Sequence, residues 1–166
     1  MLKSHELLGF MSSALAHEIL EFTFADDKPT YKAMVKAVAD ARHIRAVFLE
    51  RQPRATRHDT MLSVLSKPAL DLAAGTMIRT WLVKKQNAML VDFLDALGIQ
   101  HKDGVVENLP EAVADEKLKA AVESLLAKYP HETVAVYLTA FHDLNEAGWA
   151  NLKALLETDS RLQLGG

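Results

Sequence analysis

Cysteine is absent from the 166 residues, which excludes disulfides, iron–sulfur clusters and zinc sites built on thiolates. Glycine and proline number seven and five, too few for a loop-rich or all-β chain. No apolar run approaches the roughly 18 residues that a membrane span requires. The phosphate-cradling G-x-x-x-x-G-K-[ST], the dinucleotide loop G-x-G-x-x-G and the nucleophile elbow G-x-S-x-G are all missing. So is any E-x-x-H pair, which removes the usual di-iron helical bundle. Nothing in the sequence calls for a cofactor or a metal.

Leucine and alanine carry most of the apolar content, which is 49% of the chain beside 25% charged residues. Both favour helix. A chain of this size buries about 70% of the surface its unfolded form exposes, enough for one domain with its own core. The expected fold class is all-α, a bundle-like single domain (1–166) of six to eight helices. Residues 68–97 organise it. Leu70, Ala74, Met77, Ile78, Trp81 and Leu82 recur at three- and four-residue steps, and Met89, Leu90, Phe93 and Leu97 continue the stripe. Pro68 suits a first helical turn and Gly98 the position just past a helix end. One helix over this span would be about 45 Å long. The polar run 84–87 is where it would break, because Lys85 falls on the apolar stripe.

On either side the periodicity predicts shorter helices. The first runs over 4–22, capped by Ser4, with Leu7, Leu8, Met11, Leu15, Ile19 and Phe22 inward. Its apolar start, ending Ala-Leu-Ala, resembles a signal peptide, but Glu6 sits where the basic region belongs and the stripe runs on through Phe22; the chain reads as cytoplasmic. The second begins at Pro29 or Thr30 and reaches about residue 51, with Tyr31, Met34, Val35, Val38, Ala41, Ile44 and Phe48 as its core positions. Residues 52–58 read as a loop, after which Asp59 caps a short helix. Residues 98–114 lack periodicity and read as a strap or hinge between an N-terminal bundle (1–97) and a three-helix part (115–157). In that last part 133–141 is β-branched enough to be a strand, and Asn145 is the expected cap of the final helix. Trp81 and Trp149 fall on apolar stripes and read as core anchors.

Charge is segregated. Residues 1–27 carry one Lys against five acids, residues 28–85 twelve Lys and Arg against four, and residues 86–166 six against thirteen. Such a chain can neutralise itself, associate with a second copy, or offer a basic face to an anion. Five of the seven arginines, Arg42, Arg45, Arg51, Arg54 and Arg57, lie within sixteen residues, with Glu50 the one acid among them. Arginine's planar fork suits phosphate or carboxylate, so Arg45, Arg51, Arg54 and Arg57 are the candidate anion-binding residues. A pI of 6.2, well below that of typical nucleic-acid domains, weighs against nucleic acid.

Two further readings concern single residues. At 100° per residue Glu18, Arg42 and Arg45 fall on faces expected to be buried, which predicts an interhelical pair of Glu18 with Arg42 or Arg45. His17-Glu18-Ile19-Leu20-Glu21 has Glu where H-E-x-x-H has its second His, and two ligands do not make a metal site. His58-Asp59 and His142-Asp143 share only the dipeptide with metal-dependent phosphohydrolases of the HD type. The leading expectation is therefore a non-enzymatic protein acting through protein–protein association, including a homodimer, with no membrane partner. An anion-binding module on the arginine segment is the alternative. A small metal-dependent hydrolase, drawing on His17, Glu18, Glu21, His43 and His58, is the third.

Overall fold

The computed structural model describes residues 2–165, and among them the chain is all-helical. Ten α-helices follow one another: α1 Ser4–Phe10, α2 Ser13–Asp26, α3 Lys28–Ala41, α4 Ala46–Glu50, α5 Arg54–Leu65, α6 Asp71–Lys85, α7 Asn87–Ala96, α8 Asp115–Lys128, α9 His131–Leu144 and α10 Ala150–Thr158. Contacts divide the chain into two compact units, residues 2–81 and residues 82 onward, so α6 contributes to both and the strap 98–114 lies within the second.

In the first unit the expected long helices are broken, and each break has a local cause. Met11 leaves α1 with extended backbone and Ser12 restarts the chain as the cap of α2, its hydroxyl accepting from Leu15 N at 3.1 Å. Ser4 is inside α1, and the reciprocal bond there runs from Lys3 N to the Glu6 carboxylate at 2.9 Å. Ser12→Ala is accordingly expected to lower stability by about 1 kcal/mol. A shift of the urea midpoint toward lower denaturant at unchanged slope is the check. Asp27 ends α2 and caps α3 in the same position, accepting from Thr30 N and from the Thr30 hydroxyl. The helix from Lys28 stops at Ala41 because His43 takes a left-handed conformation, φ 57°. Beyond it lies only the five-residue α4.

Two sequence expectations change for that reason. Ile44 and Phe48 keep helical phase with Val38 only on paper; past the left-handed turn they face solvent, and Ala41, the last residue of α3, is exposed as well. The segment 54–58 is helix rather than loop, with Pro53 at the cap position, so Asp59 sits in the second turn of α5 and caps nothing. Met61 and Leu65 turn inward with no exposure, and Val64 is buried beside them. His5 joins α1 to the start of α6: its backbone N–H and its ring Nδ1 both meet Asp71 Oδ1, at 3.0 and 2.8 Å. Those bonds, the backbone one first, hold the Asp71 carboxyl below its ordinary range.

The 68–97 stretch is a 3₁₀ turn, Pro68–Leu70, followed by α6 and α7 with Gln86 between them. The break falls inside the polar run, where Lys84 and Lys85 end α6 exposed. Gly98 occupies the predicted place beyond α7 with φ 68°, and Ile99 N reaches back to Leu94 O at 3.0 Å, a bond that closes a helix C-terminus only when the residue before it is left-handed. In this second unit α9 is helix, not strand. Every residue from Thr133 to Thr139 is buried, so the β-branched character reflects a helix covered on all sides. The last helix is preceded by a turn in which Asn145 Oδ1 accepts from Ala147 N, with Trp149, not Asn145, at the cap position. Both tryptophans are buried, and Trp149 Nε1 donates to Pro110 O at 2.8 Å, pinning the strap. No helix among the described residues is long and apolar enough to cross a membrane.

Candidate functional site: the arginine-rich segment and the polar row beneath it

The expected ion pair of Glu18 with Arg42 or Arg45 does not form. The buried stripe of α2 is Leu15, Ala16, Ile19, Leu20 and Thr23, and Glu18 lies roughly 130° from its centre. A stripe through Met11 does not hold, because Met11 is the extended residue between α1 and α2. Glu18, Arg42 and Arg45 are all exposed. Arg42 is exposed because α3 ends there, and the left-handed turn at His43 takes Arg45 out of the phase that places it inside.

The four candidate anion ligands fall into two groups. Arg45 and Arg51 stand in solvent at either end of α4. Arg54 and Arg57 turn back onto the body of the unit. The Arg54 guanidinium lies 4.9 Å from the centre of the Phe24 ring, with Nε 3.5 Å from Glu21 Oε1. Arg57 donates from Nη1 to the Tyr31 hydroxyl at 3.1 Å and from Nη2 to Gln52 O at 3.3 Å. The four therefore do not converge on one anion.

Around Arg57 the structure assembles a row of polar groups that no spacing in the sequence announced. Tyr31 on α3 and His58 on α5 are both buried, and the phenol oxygen meets His58 Nε2 at 2.8 Å. On the other side of the ring, His58 Nδ1 stands 3.1 Å from Glu21 Oε1, close enough for strong attraction but off the axis of a hydrogen bond. The rings of Phe24, Tyr31 and His58 meet edge to face with centroids 5.1 to 5.7 Å apart. Because Arg57 donates to the phenol oxygen, the phenol hydrogen is assigned to His58 Nε2 and the ring hydrogen to Nδ1, facing the carboxylate. Burial holds the imidazole below its ordinary range, against the opposing pull of Glu21. Burial also raises the Tyr31 phenol, with Arg57 pulling back.

His17 behaves in the opposite way. Its Nδ1 meets Ser13 O at 2.8 Å and its Nε2 meets Asp59 Oδ1 at 2.7 Å. The bond to the Ser13 carbonyl, then the Asp59 carboxylate, lift it above its ordinary value. His17 and Glu21 thus both reach α5, but to neighbouring residues, Asp59 and His58. Among the described residues no three His, Asp or Glu side chains gather as metal ligands. His43, the remaining candidate, is exposed in its turn.

Above this row is a feature the periodicity concealed. Ile44, Val47 and Phe48 are 38%, 39% and 55% exposed, three large apolar side chains within five residues, framed by exposed Arg42, Arg45 and Arg51. Leu49 alone in α4 points inward, with no exposure. In the acidic second unit two half-exposed apolar residues have acidic neighbours: Val105, between Asp103 and Glu107, and Leu144. Leu144, 53% exposed at the end of α9, lies between Asp143 and Glu146, both exposed. Each unit also has a hollow of its own. One of about 360 Å³ sits between Arg42 and Lys67 against Val64 and Leu70. Another, of about 650 Å³, runs under the strap between Ile99, Leu109, Val113 and Lys117.

Compared with known proteins, the chain matches no family model, no curated protein and no solved structure.

Proposed function

We propose that this chain works through protein association, and that its docking element is the tip formed by residues 42–51, seated on the acidic second unit of another copy. The observation that carries the reading is the exposed trio Ile44, Val47 and Phe48 inside a frame of arginines. Burying a phenylalanine side chain is worth about 1.5–3 kcal/mol, and an apolar centre with a charged rim is how protein interfaces are built.

Charge decides the occupant. Two tips placed face to face would set arginine against arginine, so a symmetric tip-to-tip contact is disfavoured. Residues 82–166 carry thirteen acids against eight Lys and Arg, and Leu144 between Asp143 and Glu146 offers an apolar contact within an acidic frame. In a two-fold dimer each tip would meet the partner copy's Leu144 region, so that the contact is made twice.

Sedimentation velocity at micromolar concentration tests this directly. The expected mass is twice the 18.4 kDa of the chain at low salt, falling toward the monomer as salt screens the frame. Phe48→Asp and Leu144→Lys are each expected to weaken the dimer at least roughly tenfold, since each places a repelling charge in a contact made twice. A monomer at every salt concentration would overturn the reading, as would a dimer indifferent to both substitutions. A monomer that instead sediments with phosphatidylglycerol vesicles would overturn it in favour of a lipid surface.

A further inference from the structure

Gln52 closes the tip, and its carbonyl is held by Arg57 Nη2 at 3.3 Å. The other arm of that guanidinium donates to Tyr31 at 3.1 Å, Tyr31 meets His58 Nε2 at 2.8 Å, and His58 Nδ1 faces Glu21 at 3.1 Å. A buried imidazole is therefore connected, through two side chains, to the backbone at the foot of the docking element.

With the imidazole neutral, every hydrogen in the row points the same way. Arg57 donates to Tyr31, Tyr31 donates to Nε2, and the hydrogen on Nδ1 faces the carboxylate. A protonated ring carries hydrogen on both nitrogens, so Tyr31 loses its acceptor. Its oxygen then faces two cations, and its own hydrogen must turn aside. Of the two cations, His58 is fully buried and attracted by Glu21, whereas Arg57 is only half-buried and its Nε has no partner within the row. Arg57 is the one that gives way.

We infer that protonation of His58 detaches Arg57 from Tyr31 and Gln52 and loosens residues 42–52, so that the tip is ordered with the neutral ring and slack with the charged one. The consequence for dimer formation rests on the association reading above; the conformational step does not.

The charges facing His58 are Glu21 from α2, the phenol of Tyr31 from α3, and Arg54 and Arg57 on α5 itself. Of the other histidines on the neighbouring helices, His17 on α2 is engaged by Asp59 and His5 on α1 by Asp71. Glu21 favours the charged ring while burial and the two arginines oppose it, which puts the change on the acid side of an ordinary imidazole. The sign follows. A histidine whose folded value lies below its unfolded value contributes stability at neutral pH, and that contribution is lost as pH falls below about 6.5 toward the folded value.

The test is amide hydrogen exchange of residues 46–52 against pH, corrected for intrinsic rates, alongside the His58 ring signals by NMR. It is run at high salt to hold the protein monomeric. His43, the titratable ring within the tip, is first replaced by His43→Asn, because asparagine tolerates its left-handed φ of 57°. Exchange of the tip is expected to rise about tenfold or more across the pH range in which His58 protonates. His58→Gln should abolish that dependence. Tyr31→Phe is the second variant: His58 still titrates, but the tip no longer follows it. Exchange that ignores the His58 transition, or follows pH equally in His58→Gln, overturns the inference and leaves the dimer standing. A protein monomeric at low salt whose tip still follows His58 overturns the dimer and leaves the inference standing.

Discussion

Phe93→Ala is expected to lower the unfolding free energy by about 3–5 kcal/mol, a large part of what holds a domain of this kind folded. Phe93 on α7 has no exposure. Its ring meets Tyr137 and Phe141 of α9 edge to face, with centroids 5.6 and 5.4 Å away, and Phe141 passes the contact on to Trp149 at 5.2 Å. Removing the ring forfeits its transfer energy, leaves a cavity that α7 and α9 cannot fully close, and ends two aromatic contacts worth about 0.5–1.5 kcal/mol each. Phe93→Leu keeps most of the volume and should cost about 1.5 kcal/mol. Urea unfolding followed by tryptophan fluorescence separates the two variants. If Phe93→Ala costs less than about 1 kcal/mol, the stack is not part of the cooperative core.

Leu49→Ala is expected to cost about 2–5 kcal/mol and, unlike any change to the exposed face of the tip, to damage both stability and association. It is the one buried residue of α4. Five residues form too short a helix to persist unaided, so the tip keeps its shape through Leu49 and through the grip of Arg57 on Gln52. Phe48→Ala, at a position 55% exposed, should change stability by no more than about 0.5 kcal/mol while weakening the dimer. Denaturant titration and sedimentation on the two variants give opposite patterns if Leu49 is the anchor and Phe48 the contact. Equal stability losses would show that Phe48 packs against its own chain.

What the sequence disclosed and what it hid divide along a physical line. The helix Asp115–Lys128, the glycine beyond α7, the two buried tryptophans and the break at Gln86 all follow from neighbours within one or two turns, and each was readable. Helix phase survives only while the helix does. One left-handed residue, His43, turned Ile44 and Phe48 from core positions into an exposed surface, and histidine, though enriched there, is left-handed too seldom for its presence at 43 to announce the turn. Met11 acted likewise for Glu18. The row from Glu21 through His58 and Tyr31 to Arg57 joins residues on three helices, 27 positions apart between Tyr31 and His58. Glu21 and His58 stand among the polar candidates of the hydrolase reading, and the structure does bring those two together, but Tyr31 reads only as a core aromatic. Arg54 and Arg57 were noticed for their density, yet their partners, Phe24, Glu21 and Tyr31, lay outside the cluster that drew attention to them.

The joint at Asp27 sets a rule about length rather than composition. A single residue both ends α2 and starts α3, so there is no slack between them. Adding or deleting one residue of α2 after Glu21 would swing all that follows by about 100° around its axis, carrying Tyr31 and His58 together away from Glu21. Substitutions along these helices are graded insults; a change of register is not. Insertions are accommodated where the chain has spare backbone, in the strap 98–114, whose ends are fixed by Gly98 and Asp115 and whose middle owes little to helical phase. Variation in chain length should therefore collect in the strap, while α2 and α3 keep their count.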